Sequence, residues 1–470
     1  TDGSFNSISI GKGANSVAQN TVLGESALDA SVSGGSNVAI GYEALTTNTS
    51  GAFNISVGAF ALDANTTGAG NVGIGHNSLG ANTTANHNSA FGHQSLVLNT
   101  TGTSNTAVGA YSLDANTQGN YNSALGFGSL GANTTGNNNT ACGYASLFNN
   151  TTGANNTAVG LNALLVNTTA TGGVAVGYRA LDSNTTGSYN VAVGQDALAG
   201  NSTGTQNMGI GVNAGMTITT GNYNTAIGPN SLRGTEVTGS HNIALGLQAL
   251  NVNTSGSENV SIGNYSLHKA TTASNNTAVG YAALNDTTTG SNNTAVGRDA
   301  LLENTTAANN TAVGKSALGL NTTGTQNTAL GSNALDAATT ANYNTALGAF
   351  AATDTTGNNN TAVGRIALYV NTSGSGNTAI GTETLRNNTT ASDNTGVGYA
   401  ALSQNTTGTL NTAVGKGAGQ LLTTGNDNTF VGDRAGNMVT TNGQNTFIGG
   451  RAGSQVTGQQ NTALGFFANY

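Results

Sequence analysis

Few side chains in these 470 residues are equipped for chemistry, and their spacing decides which chemistry is open to them. Asp29, Asp63, Asp114, Asp182 and Asp336 recur at one position of a repeating pattern. Paired carboxylates could share general-acid and general-base work. No two of these occupy successive repeats. With repeats stacked ~4.8 Å apart, they stand at least ~10 Å from one another within a chain. They read as solvated turn residues, and a polysaccharide depolymerase would need acids that meet across chains. His76 and His93 do fall on successive repeats, where an assembly could join them through a metal. Their column also holds Tyr42, Lys315, Arg365 and Asp433, which marks it as exposed, so surface histidines are expected. Cys142 is the only cysteine and stands where other repeats carry Val or Ile, which suits a small core residue. No catalytic residue, metal site or cofactor is predicted, and the chain is not read as an enzyme.

The tyrosines point to binding. Tyr42, Tyr144, Tyr178, Tyr281 and Tyr399 share the exposed column, and Tyr121, Tyr189, Tyr223 and Tyr343 share another. Aromatic rings among amides and hydroxyls suit stacking on sugars, and they equally suit packing along an edge. Rows of Thr raise ice binding, which needs a flat Thr lattice. Here the rows mix Thr with Asn, Ser, Gln and Gly, and half of each strand's Thr is expected to face the core. Matches to the glycosylation acceptor pattern follow from the Asn and Thr content alone.

All these columns rest on a repeat. The phrase Asn156-Thr157-Ala158-Val159-Gly160 returns at Asn190–Gly194 and Asn293–Gly297. Anchored on its closing glycine, it recurs from Gly24 to Gly465, 27 anchors in all. The step is 17 residues, except for 18 into Gly246 and 16 into Gly364 and Gly465. With 70 Gly, one Pro, no Trp and 6% charged residues, the composition is not that of an ordinary globular chain. The regular apolar positions argue against disorder. A net charge of −8 and the lack of a basic patch leave nucleic acid no electrostatic hold. No run approaches the ~18 apolar residues of a membrane helix, so no membrane insertion by this segment is expected. The start at Thr1, in mid-pattern, suggests a processed chain or a piece of a longer one.

Gly and β-branched residues are too dense for helix. Thr-Ala-Val alternates as a strand does, the Ala-Leu segment reads as a second short strand, and Asn-Thr-Thr-Gly is turn chemistry. Two short strands and two turns per unit predict an all-β fold, a parallel β-solenoid of about 27 coils with a 17-residue repeat. At ~4.8 Å per coil that is a rod on the order of 130 Å.

Stacking gives each column a task. Asn37, Asn105, Asn156, Asn190 and Asn293 form an amide ladder, broken only at Gly173. Gly41, Gly109, Gly160, Gly194 and Gly297 stand where the backbone needs positive φ or has no room for a Cβ. Thr, Val and Leu are expected inward. Ala39, Ala107, Ala158, Ala192, Ala278 and Ala362 are then expected outward, as a small-residue seam for a homotrimer. Residues 1–24 read as a short-coil segment, 25–415 as regular repeats, and 416–470 as variant coils. In the last part Gly419, Gly436 and Gly453 replace Leu, Phe430 and Phe447 replace Ala, and Phe466, Phe467 and Tyr470 follow. A cap or junction is expected there.

The stretch Asn6–Gly24, with its Asn-Ser-Ile-Ser-Ile-Gly and Asn-Thr-Val-Leu-Gly phrases, and Asn37-Val38-Ala39-Ile40-Gly41 resemble the head repeats of trimeric autotransporter adhesins, the YadA-like family. Repetitive phage tail fibres and other bacterial surface fibres look similar. The repeat here is longer than that family's usual one. The resemblance implies a left-handed β-roll, three chains about an axis, and binding to host matrix or cell surfaces. The resulting expectation is an extracellular fibre segment, on a cell surface or a virion, attaching multivalently to a glycan or protein receptor. A phage tail fibre, an ice-binding solenoid and a depolymerase tailspike are the alternatives.

Overall fold

The computed structural model describes residues 3–6 and 8–469. It divides into two compact units, residues 1–238 and 239–470, each a stack of coils in its own right. The fold is all-β, a parallel β-solenoid of about 26 turns with the 17-residue repeat. Among the described residues no helix is long and apolar enough to cross a membrane.

Residues 156–172 show how one coil is made. Its single strand is Thr157–Val159, paired in parallel register with Thr140–Cys142 before it and Val174–Val176 after it. The second strand expected around Ala163-Leu164 does not form. That stretch turns instead, with Asn162 at φ 56 and Leu164 at φ 53. These left-handed residues aim their amides along the stack. Asn162 N–H donates to the Tyr144 carbonyl of the preceding coil at 3.1 Å, and Leu164 N–H to Ala180 of the following coil at 3.0 Å. The turn is thus bonded to its neighbours much as the strand is, which meets the demand of buried amides for partners. A left-handed non-glycine residue costs about 1–2 kcal/mol. Burying the Leu side chain is worth about 1.5–3 kcal/mol, so Leu fills the column in most coils.

The strand faces the opposite way from the expectation. Ala158 is fully buried, Thr157 is half-buried, and Val159 is 37% exposed. The reason is the depth of the coil. Leu and Asn fill it from the other side and leave space for about one methyl. At Gly73, which replaces the strand Ala, an added Cβ would already lie 3.3 Å from Leu62 Cγ. A Val could not fit there. Ala39, Ala107, Ala158, Ala192, Ala278 and Ala362 therefore form the inner wall, each with no exposed surface in the single chain. They cannot be a seam between chains. The core of each coil is this Ala, a second small residue such as Ala163, the Leu, and two Asn.

The first 24 residues are not a short parallel coil. Strands β1 (Gly3–Phe5), β2 (Ile8–Gly11) and β3 (Thr21–Gly24) run antiparallel in succession. Parallel stacking begins where β3 meets β4 (Val38–Ile40).

At the far end, the coils after Gly415 keep their cross-section and exchange its contents. Phe430 and Phe447 enter the inner Ala column, fully buried and stacked at 5.6 Å. Gly436 takes the Leu position at φ +58, and a Cβ there would lie 2.5 Å from the Phe430 ring. The ring occupies the space that Leu vacates. The strands stay in register, Ala413 beside Phe430 and Phe430 beside Phe447. Tyr470 lies outside the described residues.

Candidate functional site

The inner columns hold the coil together. Asn105 backbone N–H donates to Asn88 Oδ1 at 2.9 Å, and its Nδ2 donates to the Gly119 carbonyl at 2.8 Å. Asn37, Asn156 and Asn293 make the same pair of bonds. At the break, Gly173 N–H still donates to Asn156 Oδ1 at 2.8 Å, and Asn190 Nδ2 donates to the Gly204 carbonyl at 2.7 Å. The anchor glycines meet both conditions. Gly160 has φ +134, and a Cβ on it would lie 2.4 Å from the Gly177 carbonyl oxygen.

A second ladder was not read from the sequence. The Asn of Asn-Thr-Thr-Gly is buried, and from Asn48 to Asn201 it fills ten successive coils. Asn116 Nδ2 donates to Asn99 Oδ1 at 2.8 Å and to the Gly119 carbonyl at 3.1 Å. Its neighbour Thr117 donates its hydroxyl to the Thr134 carbonyl of the next coil. The signal was present as a period of 17, but the turn propensity of Asn explained the residue without it.

Two outward surfaces remain. One is the sheet face, where the residues flanking each buried Ala point away from the coil. In residues 239–470 its first column is Thr in every strand from Thr277 to Thr462. The strand Thr is outward, contrary to the expectation that it faces the core. The second column is apolar in both units, for example Leu125, Val159, Val193, Leu330 and Ile380, all exposed; it also holds Phe91 and Cys142, so Cys142 lies half-buried on this face and not in the core as expected.

The other surface is aromatic. Tyr42, Phe60, His76, His93, Tyr111, Phe127 and Tyr144 follow one another on successive coils, with ring centroids 5.2–5.9 Å apart. Sequence columns hid this run because Phe60 and Tyr111 stand at the second residue after the anchor Gly while the other five rings stand at the first. His76 and His93 stack at 5.2 Å within it. Of the other tyrosines singled out, Tyr281 packs against Tyr265 and lies under the Arg298 guanidinium. Tyr178 and Tyr399 are exposed and have no ring partner among the described residues.

Arg179 holds two acids from successive coils, Asp182 at 2.7 Å and Asp196 at 3.7 Å. Asp336 accepts from Asn333 at 3.1 Å. Burial pushes the Asp63 and Asp114 carboxyls up from the ordinary Asp value, against bonds from their own and the following amides. Among the described residues no group of three or more His, Cys, Asp or Glu is placed to hold a metal ion.

No protein-family model matches this chain, and no curated protein matches it.

Proposed function

We propose that this chain is a segment of an extracellular attachment fibre, built as a homotrimer and resembling YadA-like adhesin heads. The observation that carries this reading is the outward aliphatic column of the sheet. An apolar column of this kind, half-buried to exposed from coil to coil, suits an interaction surface. Its regular spacing, one residue per coil, suits a second copy of the same periodicity better than an irregular globular partner. The seam is thereby moved from the buried Ala column to residues such as Val296, Val313 and Leu330. The polar remainder of the surface, repeated coil by coil, would give weak contacts the avidity of many copies. Sedimentation equilibrium of the 46.2 kDa chain tests the assembly. A mass three times that value is expected, and a monomer at micromolar concentration would end the trimer reading.

One observation favours a second reading. The unbroken row from Thr277 to Thr462 places one outward Thr on each coil of the sheet face. That is the surface an ice-binding solenoid requires. The two readings compete for the same face, since a buried seam cannot meet ice. Thermal hysteresis from a monomer would favour ice, and a trimer without hysteresis would favour the fibre.

A further inference from the structure

The aromatic run is not needed to hold its coils together. The coil of Gly160 carries Leu161 and Asn162 at the same two positions and keeps the same strand pairing. Yet seven coils in succession each place one ring on this line, most of them exposed. At its end Phe127 and Tyr144 lie nearly parallel, 9° apart at 5.5 Å. They open on a groove of about 320 Å³, closed by Phe148 and Leu165 with the Asn162 amide at its edge. Gly128 makes the room, since a Cβ there would lie 3.3 Å from the Phe148 ring.

Three features identify an occupant. Ring centroids every 5.2–5.9 Å match the length of one pyranose in an extended β-linked chain; four of the six neighbouring pairs meet edge to face at 71–83°, so successive sugars would meet ring faces and ring edges in turn. Glu43, Asn77, Gln94 and Asn162 directly follow rings or their column equivalents, and can bond the hydroxyls at a sugar's edge. No Lys or Arg lies between Lys12 and Arg179, so an anionic polymer finds no counter-charge here.

We propose that the track from Tyr42 to Tyr144 binds a neutral, extended β-linked polysaccharide laid along the stacking direction, with the Phe127–Tyr144–Phe148 groove as its tightest subsite. This rests on the attachment reading and names its ligand class. Sugar C–H faces would lie on the rings, and hydroxyls would point to the amide and carboxylate rim.

Isothermal titration of the full chain with cellohexaose and chitohexaose tests it. Saturable binding is expected for at least one, tightening from tri- to hexasaccharide. Phe127→Ala with Tyr144→Ala should weaken it at least tenfold, while Tyr399→Ala leaves it unchanged. Tyr144→Ala alone, expected to weaken binding severalfold, keeps the test readable if the double variant loses its circular dichroism signature. Absence of binding by both hexaoses overturns the proposal, as does unchanged affinity in the folded Tyr144→Ala variant. Equal affinity for maltohexaose, whose chain coils, overturns it too. A Val296→Lys, Val313→Lys variant that no longer assembles should still bind, so failure of the trimer and failure of the track are separate results.

Discussion

At the scale of single residues, buried Asn does what a hydrophobic core does elsewhere. Asn116 both donates to the coil before it and accepts from Asn133 at 2.8 Å in the coil after it. Asn116→Ala would strand the Asn99 oxygen and one Asn133 donor bond in the interior. A loss of about 1–3 kcal/mol is expected, measured by urea unfolding. The ladder also shows where it is incomplete. Asn253, Asn321 and Asn405 each have an unpartnered Oδ1, and the next coil offers Ala270, Ala338 or Leu422 instead of Asn. Ala338→Asn should supply the missing donor to Asn321 and stabilise by about 1 kcal/mol. A fall in melting temperature would contradict the ladder account. Asp114 allows a pH test. Its carboxyl binds a proton more tightly in the folded chain than in the unfolded one, because burial disfavours the charge. Stability from this group is therefore present at low pH and lost as pH rises past the ordinary Asp value of 3.8. Asp114→Asn should melt higher than the parent at neutral pH and level with it near about pH 3.

At the scale of the coil, the unit is a closed volume that tolerates exchange only in compensated pairs. Phe430 fills the space left by Gly436, whose equivalents in most regular coils are Leu. Phe430→Ala alone should cost about 3–5 kcal/mol, the usual loss for a buried Phe. Adding Gly436→Leu should restore a large part, because Ala with Leu is the content of the regular coil. A double-mutant cycle by chemical denaturation reads the coupling, and strict additivity would show that the two positions do not share a volume. The same exchange was visible in the sequence as paired departures, Phe430 with Gly436 and Phe447 with Gly453. Without the fold, these suggested a different cross-section. The structure shows the old one repacked.

At the scale of the whole molecule, function follows from which columns are left outside. Lysines at Val296, Val313 and Leu330 should leave the coil folded, since these side chains point outward. They should abolish self-association, as seen by a drop in sedimenting mass to that of one chain. Loss of circular dichroism with the mass would instead place those side chains in the core.

The sequence by itself determined the period, the parallel stacking, the Asn ladder before each strand and the glycine corners. All four follow from identity repeated every 17 residues, because stacking puts like upon like whatever the shape of the coil. Alternation within Thr157-Ala158-Val159 said that Ala faces away from Val, but period two carries no sign. Only the tertiary structure could decide which face is inward, and it did so by volume. With Leu164 and Asn167 reaching in from the turns, the strand has room for a side chain the size of Ala or Ser and not for Thr or Val. That one decision buried the Ala column, turned Thr and Val outward, and left the aliphatic stripe exposed. The aromatic track was beyond sequence columns for a related reason. Its rings leave the backbone at two different positions, Phe60 and Tyr111 from the second, and converge through the left-handed turn that the structure reveals.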